Sequence, residues 1–304
     1  MKIIHFLLSG DDVTTYLTKK YLLNQEANHH DQGYIARYLS LMDEKTNRFG
    51  HGVYSPKWIS THYTIQELKY MEVSFDNPYY QRGLETLLAY EWVNKGMYSQ
   101  KRHQDMCIVG MLVCFLSYGK SRSEKLIEMI DYILSHQFLD GGWNCSWDSG
   151  KNPKISSVHT TLSVLEGLSE YVKNGYTYRI EDIKKVIKEG IECLLNRDLF
   201  KNKKTGEAIH PSMVDIHYPP RWKYDILKAL EYLQSIEYPY DERIEDAIQL
   251  LIQKSKNGLM PKGSQIPGLI HFQLENERIS RFNTIRLLKI IKFYKPTLYK
   301  EWTD

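Results

Sequence analysis

What this chain lacks narrows it first. Four cysteines in 304 residues, none in a Cys-x-x-Cys pair, give no disulfide framework and point to a reducing compartment. No apolar run reaches the ~18 residues that a membrane span needs. The opening MKIIHFLLSGDD holds one Lys and an apolar stretch too short for a secretory leader, cut off by Gly10, Asp11 and Asp12. The expectation is a cytoplasmic protein without a membrane span. A net charge of +3 is too small to argue for nucleic acid or an anionic membrane as partner. There is no phosphate-binding Gly loop, no dinucleotide fingerprint, no aromatic-plus-basic strand for nucleic acid and no Gly-x-Ser-x-Gly elbow. Strand-like alternation is rare, and no β pattern of convincing length appears.

What is present is helix. A hydrophobic content of 42% with 25% charged residues belongs to a globular chain, and 304 residues can bury a large core. Helical periodicity marks Val13–Leu23, with Asp11 or Asp12 as N-cap, and Gln32–Met42. A turn-rich connection, Asp43 to Pro56, leads to WISTHYTIQELKYM from Trp58 and to a helix opened by Pro78. Two apolar runs follow, DMCIVGMLVCFLSYG from Asp105 and VHTTLSVLEGLSEYV from Val158. Between them lie a charged one-faced helix and an unusual turn, DGGWNCSWDSG, from Asp140 to Gly150. Further helices are expected at Ile180–Leu195, His217–Leu233 (started by two prolines), Glu242–Lys254 and Ser280–Tyr294.

The order of these elements is informative. A mostly apolar helix, a one-faced charged helix and a Gly-containing turn recur from Trp58, Asp105, Val158, Arg221 and Ser280. Starts about 45 to 65 residues apart fall where repeats mean stacked helix pairs. A helix apolar all round must be buried, and one with a single apolar stripe lies at the surface. Alternation of the two kinds predicts an inner and an outer ring. The expected fold is all-α, an α/α toroid of about five to six helix pairs. One domain would cover residues 1–304, with N-terminal helices over 1–50 closing the ring. Polar and aromatic residues gather at the heads of the inner helices. They are Trp58, Ser60, His62 and Tyr63; Asp105 and Cys107; His159 and Thr160; His217, Tyr218, Arg221, Trp222, Tyr224 and Asp225; and Arg281, Asn283 and Arg286. In a toroid these heads converge on one mouth of a central cavity.

The turn QFLDGGWN, Gln137 to Asn144, resembles the repeats of squalene and terpene cyclases and of protein prenyltransferase β subunits, which share an α/α toroid. The resemblance sharpens over Asp105-Met106-Cys107, the outer helix around Leu126 to Leu134, Gly141-Gly142-Trp143, and His159. It covers about 70 residues clearly, and the repeat architecture covers most of the chain. The prenyltransferase β subunits show the same order of Asp-x-Cys, helix, Gly-Gly-Phe turn and His. The resemblance therefore implies a catalytic zinc at Asp105, Cys107 and His159, with the same three as catalytic residues. Zinc takes S, N and O donors and deprotonates a bound thiol, which suits attack on an allylic diphosphate. Positions i and i+2 point about 200° apart on a regular helix. Asp105 and Cys107 could therefore share a metal only at a frayed start, with Asp105 ahead of the helix as a cap.

The same residues have plainer readings. Asp105 reads equally as an N-cap, Cys107 as a small buried hydrophobe like Cys114 and Cys193, and His159 as a hydrogen-bonded wall residue. The sequence also departs from the family. Lys101, Arg102 and His103 supply charge ahead of the Asp-x-Cys, but not in the family's spacing, and Ile108 stands where those enzymes have Tyr. The Asp-x-Asp-Asp run of proton-initiated cyclases is absent, which leaves Asp105 or Asp225 only as a lone proton donor. His62, Tyr63, Arg102, His217, Arg221, Asp225, Arg281 and Arg286 are the candidate ligand-binding residues. Arg221 and Asp225, four apart, read also as a helix-face ion pair. Arg281 and Arg286 read as free for a phosphate or carboxylate. Ser60–Thr64, STHYT, lacks a visible acidic partner for a triad. Trp143 and Trp147 read as core plugs of the turn.

The expected function is a prenyltransferase-like transferase, zinc-dependent by resemblance, acting on an isoprenoid diphosphate or another apolar, anionic small molecule. The alternatives are a metal-free lyase, hydrolase or cyclase in the same cavity, or a non-catalytic toroid scaffold. A partner subunit, which the prenyltransferases require, leaves no mark in this sequence.

Overall fold

The computed structural model describes residues 2–27, 31–99, 102–149 and 153–304. Among them the chain is all-α apart from two short hairpins. In chain order the helices are α1 (Ile3–Leu8), α2 (Asp12–Leu17), α3 (Tyr34–Leu39), α4 (Thr61–Tyr70), α5 (Pro78–Tyr90), α6 (Met106–Tyr118) and α7 (Glu124–Ser135). They continue with α8 (Val158–Lys173), α9 (Ile180–Leu195), α10 (Ile226–Ser235), α11 (Glu245–Lys254), α12 (Arg281–Tyr294) and α13 (Pro296–Thr303). Strands β1 (Met42–Asp43) and β2 (Arg48–Phe49) pair antiparallel, as do β3 (Met97–Ser99) and β4 (Arg102–His103). The described residues form two compact units, one of residues 38–196 and one of residues 1–37 with 197–304.

The 38–196 unit is three helix pairs. Helices α6 and α8 are buried on nearly every side, while α7 and α9 present one buried stripe, the alternation of all-round apolar and one-faced helices read from the sequence. Helices α6 and α8 lie parallel and unusually close. A Cβ on Gly110 would stand 2.7 Å from the Ser163 carbonyl oxygen, and one on Gly167 would stand 2.3 Å from that of Gly110. Small residues at these two positions let the backbones touch. Helix α4 runs the same way: Gln66 Nε2 meets Met111 Sδ at 3.3 Å, and Lys69 pairs with Glu170 at 2.9 Å at the tail ends. Helices α5 and α7 return antiparallel. Gln81 near the start of α5 bonds the Gly119 carbonyl at the tail of α6, and Tyr132 late in α7 reaches the Gln104 carbonyl at its head.

The turn from Phe138 to Trp143 ties α7, α8 and α9 together. Gly141 adopts φ +87°, and a Cβ there would meet the Glu189 carbonyl of α9 at 2.5 Å. Trp143 is fully buried; its Nε1 donates to the Ile133 carbonyl at 2.9 Å and its backbone N–H to Thr161 Oγ1 at 3.1 Å. The reading of Trp143 as a plug holds. Trp147 is only half-buried and packs instead, with its ring tilted, against His136, centroids 3.9 Å apart, and against His103 at 4.8 Å.

In the other unit α10 and α12 are parallel. Glu231 takes Arg286 Nε at 2.7 Å, and Tyr294 Oη donates to the Tyr238 carbonyl one turn beyond α10. The N-terminal helices pack on the C-terminal ones: Arg281 Nε donates to the Phe6 carbonyl at 3.1 Å, and Lys292 Nζ to the Tyr21 and Leu22 carbonyls. One helix start needs correction. Residues 217–225 are not helical, and α10 begins only after Asp225, whose carboxylate caps it by accepting from the Lys228 N–H at 2.8 Å. The tether is tertiary, since His217 Nδ1 bonds the Ser264 carbonyl at 2.7 Å and Tyr224 Oη the Leu199 carbonyl at 2.6 Å. The segment at Gln32–Met42 also shortens, with β1 claiming its end.

Candidate functional site at the heads of α6 and α8

Asp105 takes the N-cap position of α6, yet its carboxylate makes no capping bond. It is half-buried, and burial raises its pKa above the ordinary carboxylate value. Nearby Arg102 and Lys57 oppose that shift, and Asp148 adds to it. Cys107, one turn position inside α6, offers its backbone N–H to Cys145 Sγ at 3.2 Å. Thr160 Oγ1, from the first turn of α8, reaches the same sulfur at 3.3 Å. The Cys107 thiol also bonds Cys145, which pushes the Cys107 pKa up, with burial adding to the shift. Cys145 is shifted the other way. The Cys107 thiol lowers it most, burial opposes, and the Thr160 hydroxyl and Cys107 N–H lower it further. Both thiols are free and half-buried. The Cys145 sulfur thus lies at the positive end of the 13-residue α6 and accepts two oriented donors, an arrangement that favours its ionised form.

His159 holds the second position of α8, half-buried, beside Thr160. The structure thus brings Cys145 both to Cys107 and to Thr160, the neighbour of His159. Among the described residues, however, no three His, Cys, Asp or Glu side chains gather at metal-ligand spacing. Sulfur, carboxylate and imidazole are nonetheless the donor types that zinc takes.

Aromatic rings wall this head. Tyr63 is buried, edge-on to Trp58 at 4.7 Å, and its hydroxyl donates to Tyr54 Oη at 3.1 Å. Burial raises the pKa of both tyrosines, with the Cys107 sulfur adding to each, so both stay neutral hydroxyls. His62 is fully buried, its Nδ1 2.7 Å from Glu91 Oε2. The acidic partner that STHYT lacked in sequence is therefore Glu91. The Ser60, Thr61 and Thr64 hydroxyls are nevertheless spent on the Tyr54, Gly52 and Ser60 carbonyls and that of Tyr63 on Tyr54 Oη, so we read the pair as a buried structural one. His103 bonds Asp148 Oδ2 through Nδ1 at 3.1 Å and through its N–H at 2.9 Å. Arg102 is exposed on β4. Lys101 lies outside the described residues.

All of the remaining candidates except Arg281 form a separate cluster in the 197–304 unit. His217, Arg221, Asp225, Lys228 and Arg286 are all buried there. Burial raises the Asp225 pKa against Arg286, His217 and Lys228, and among the described residues its Oδ2 has no hydrogen-bond partner. Arg221 sits at φ +55° in the non-helical segment, so its spacing to Asp225 is not that of a helix face. Arg281 and Arg286, read as free, are both engaged. Arg281 pairs with Glu277 at 2.9 Å and lies 4.2 Å over the Phe6 ring, and Arg286 binds Glu231.

Sequence reasoning missed Cys145. The turn holding it stood out by composition, yet nothing in a separation of 38 residues says that it folds back onto the start of α6. Compared with protein-family models and with curated proteins, the chain matches none. No helix among the described residues is long and apolar enough to cross a membrane.

Proposed function

We propose that the heads of α6 and α8 are the catalytic site of a prenyltransferase-like α/α toroid acting on an isoprenoid diphosphate or a similar apolar, anionic ligand. Three parallel inner helices with return helices in one unit, and a parallel pair in the other, support the toroid reading. The observation that carries the site is the sulfur of Cys145 held between the Cys107 N–H and the Thr160 hydroxyl, beside an Asp105 carboxylate left without a capping bond. Asp105, Cys107 and His159 are the residues that would hold zinc, with Cys145 as an additional sulfur donor. Bound zinc would keep a thiol ionised and nucleophilic near neutral pH. The chain's own part is to align the two helix heads, to wall the site with the neutral hydroxyls of Tyr54 and Tyr63, and to hold a sulfur at a helix N-terminus.

Elemental analysis of the purified, untagged protein tests this reading. It expects about one zinc per chain after reconstitution, lost in Cys107→Ala and in His159→Ala. No zinc in the wild-type protein sinks it. A second reading has its own support in the raised pKa of Asp105, since a carboxyl that holds its proton to higher pH than usual is better suited to act as a lone acid in a metal-free lyase or cyclase. That reading expects activity unaffected by chelators and abolished in Asp105→Asn.

A further inference from the structure

Of the four cysteines, Cys107 and Cys145 are half-buried where Cys114 and Cys193 are buried, and they are the two that touch. Cys114 is buried inside α6, and Cys193 is buried against the Ser156 hydroxyl at 3.0 Å. The Cys107 amide lies 3.2 Å from Cys145 Sγ, and the Cys107 sulfur, three bonds from that amide nitrogen, is itself hydrogen-bonded to Cys145. Cys145 sits in a turn rather than in a helix. It can therefore close the short remaining distance by adjusting a loop, without moving α6 or α8 past each other. Asx turns at Asn144 and a clamp from Asp140 to the Ser156 amide, 2.9 Å long, hold that loop at the helix heads.

We propose that Cys107 and Cys145 form a redox-active dithiol, a modification site that closes reversibly to a disulfide under a peroxide-type oxidant. One thiol attacks a peroxide oxygen; the O–O bond breaks, the sulfur gains an S–O bond, and the departing hydroxide takes up the thiol proton as water. The second sulfur then attacks this sulfenic acid; the S–S bond forms, the S–O bond breaks, and hydroxide leaves with the second thiol proton as another water. The two thiols together lose two electrons and the peroxide gains them. A thiol reductant reverses the change by exchange. The inference does not rest on zinc or on catalysis. If both readings hold, closure takes two sulfurs from the metal.

The test is hydrogen peroxide titration of the folded full-length chain, with non-reducing peptide mapping and intact mass. The expected product has lost two hydrogens, carries a peptide crosslink between Cys107 and Cys145, and returns to the starting mass with dithiothreitol. Cys145→Ser and Cys107→Ser should each abolish the crosslink, and the surviving thiol should stop at the sulfenic acid, trapped by dimedone. Cys114→Ser should leave the crosslink unchanged, which controls for the substitution itself. The proposal is overturned if the folded protein shows no 107–145 crosslink at a dose that oxidises the unfolded chain. Crosslinks joining Cys114 or Cys193 in its place overturn it equally. Absence of zinc from the protein leaves this outcome untouched, so the two readings fail separately.

Discussion

At the residue scale, two carboxyls in the 197–304 unit respond to pH with opposite signs. Burial works to raise Glu231, and the Arg286 and Lys289 cations overcome it and hold the group at about 2. Its folded pKa lies below the ordinary 4.5, so the stability it contributes is complete above that value and drains away as pH falls toward about 2. Asp225 is raised, so its contribution is complete below the ordinary carboxylate value and is lost as pH rises through the higher folded pKa. Chemical denaturation from pH 5 downward should therefore show a steep acid loss in the wild-type protein. Glu231→Gln should be less stable at pH 7, with a flatter acid limb; an unchanged slope would mean that the ion pair carries no linkage. Cys145 belongs to this scale too, since its chemistry depends on single hydrogen bonds that no residue pattern announces.

At the element scale, α6 and α8 share the most extensive helix–helix contact among the described residues. Their glycines lie on facing surfaces, and the obstacle to a side chain is backbone, which cannot swing aside. Gly167→Ala should cost about 1–3 kcal/mol of overpacking, seen as a lower urea midpoint. Because the helix heads must also separate, the same variant should weaken the hold of Thr160 on Cys145. Loss of the peroxide-driven 107–145 crosslink in a still-folded Gly167→Ala protein would report that separation. Equal stability of variant and wild type would show that the helices can slide apart at no cost. The exposed tips of the outer helices, by contrast, tolerate ordinary surface change.

At the scale of the whole molecule, the chain leaves one unit at Arg37 and returns to it at Arg197, so the 38–196 unit is continuous in sequence and the other is not. The N-terminal helices supply surface and backbone acceptors to α12 and α13: the Tyr21 and Leu22 carbonyls for Lys292, and the Leu22 carbonyl for Tyr299 Oη at 2.9 Å. A fragment of residues 38–196 should fold cooperatively by circular dichroism and thermal melt. A fragment of 197–304 should fold only when residues 1–37 are supplied. A cooperative melt of 197–304 by itself would overturn this division.

The sequence by itself determined the helices and their two kinds. Periodicity placed Ile180–Leu195 where the structure has α9, and it distinguished the all-round apolar α6 from the one-faced α7, because burial on one side or on all sides writes itself into spacing. The Gly-Gly-Trp turn was legible as well, since a positive φ and a buried plug demand those residue types. Tertiary structure alone decided the rest. It unwound residues 217–225, where bonds to Ser264 and Leu199 outweigh two helix-starting prolines. It gave His62 the partner Glu91, and it set Cys145, from a loop, against the start of α6. Local periodicity reports which side of an element is buried. Which residue from elsewhere meets it depends on how the chain returns, and that is a property of the packed molecule.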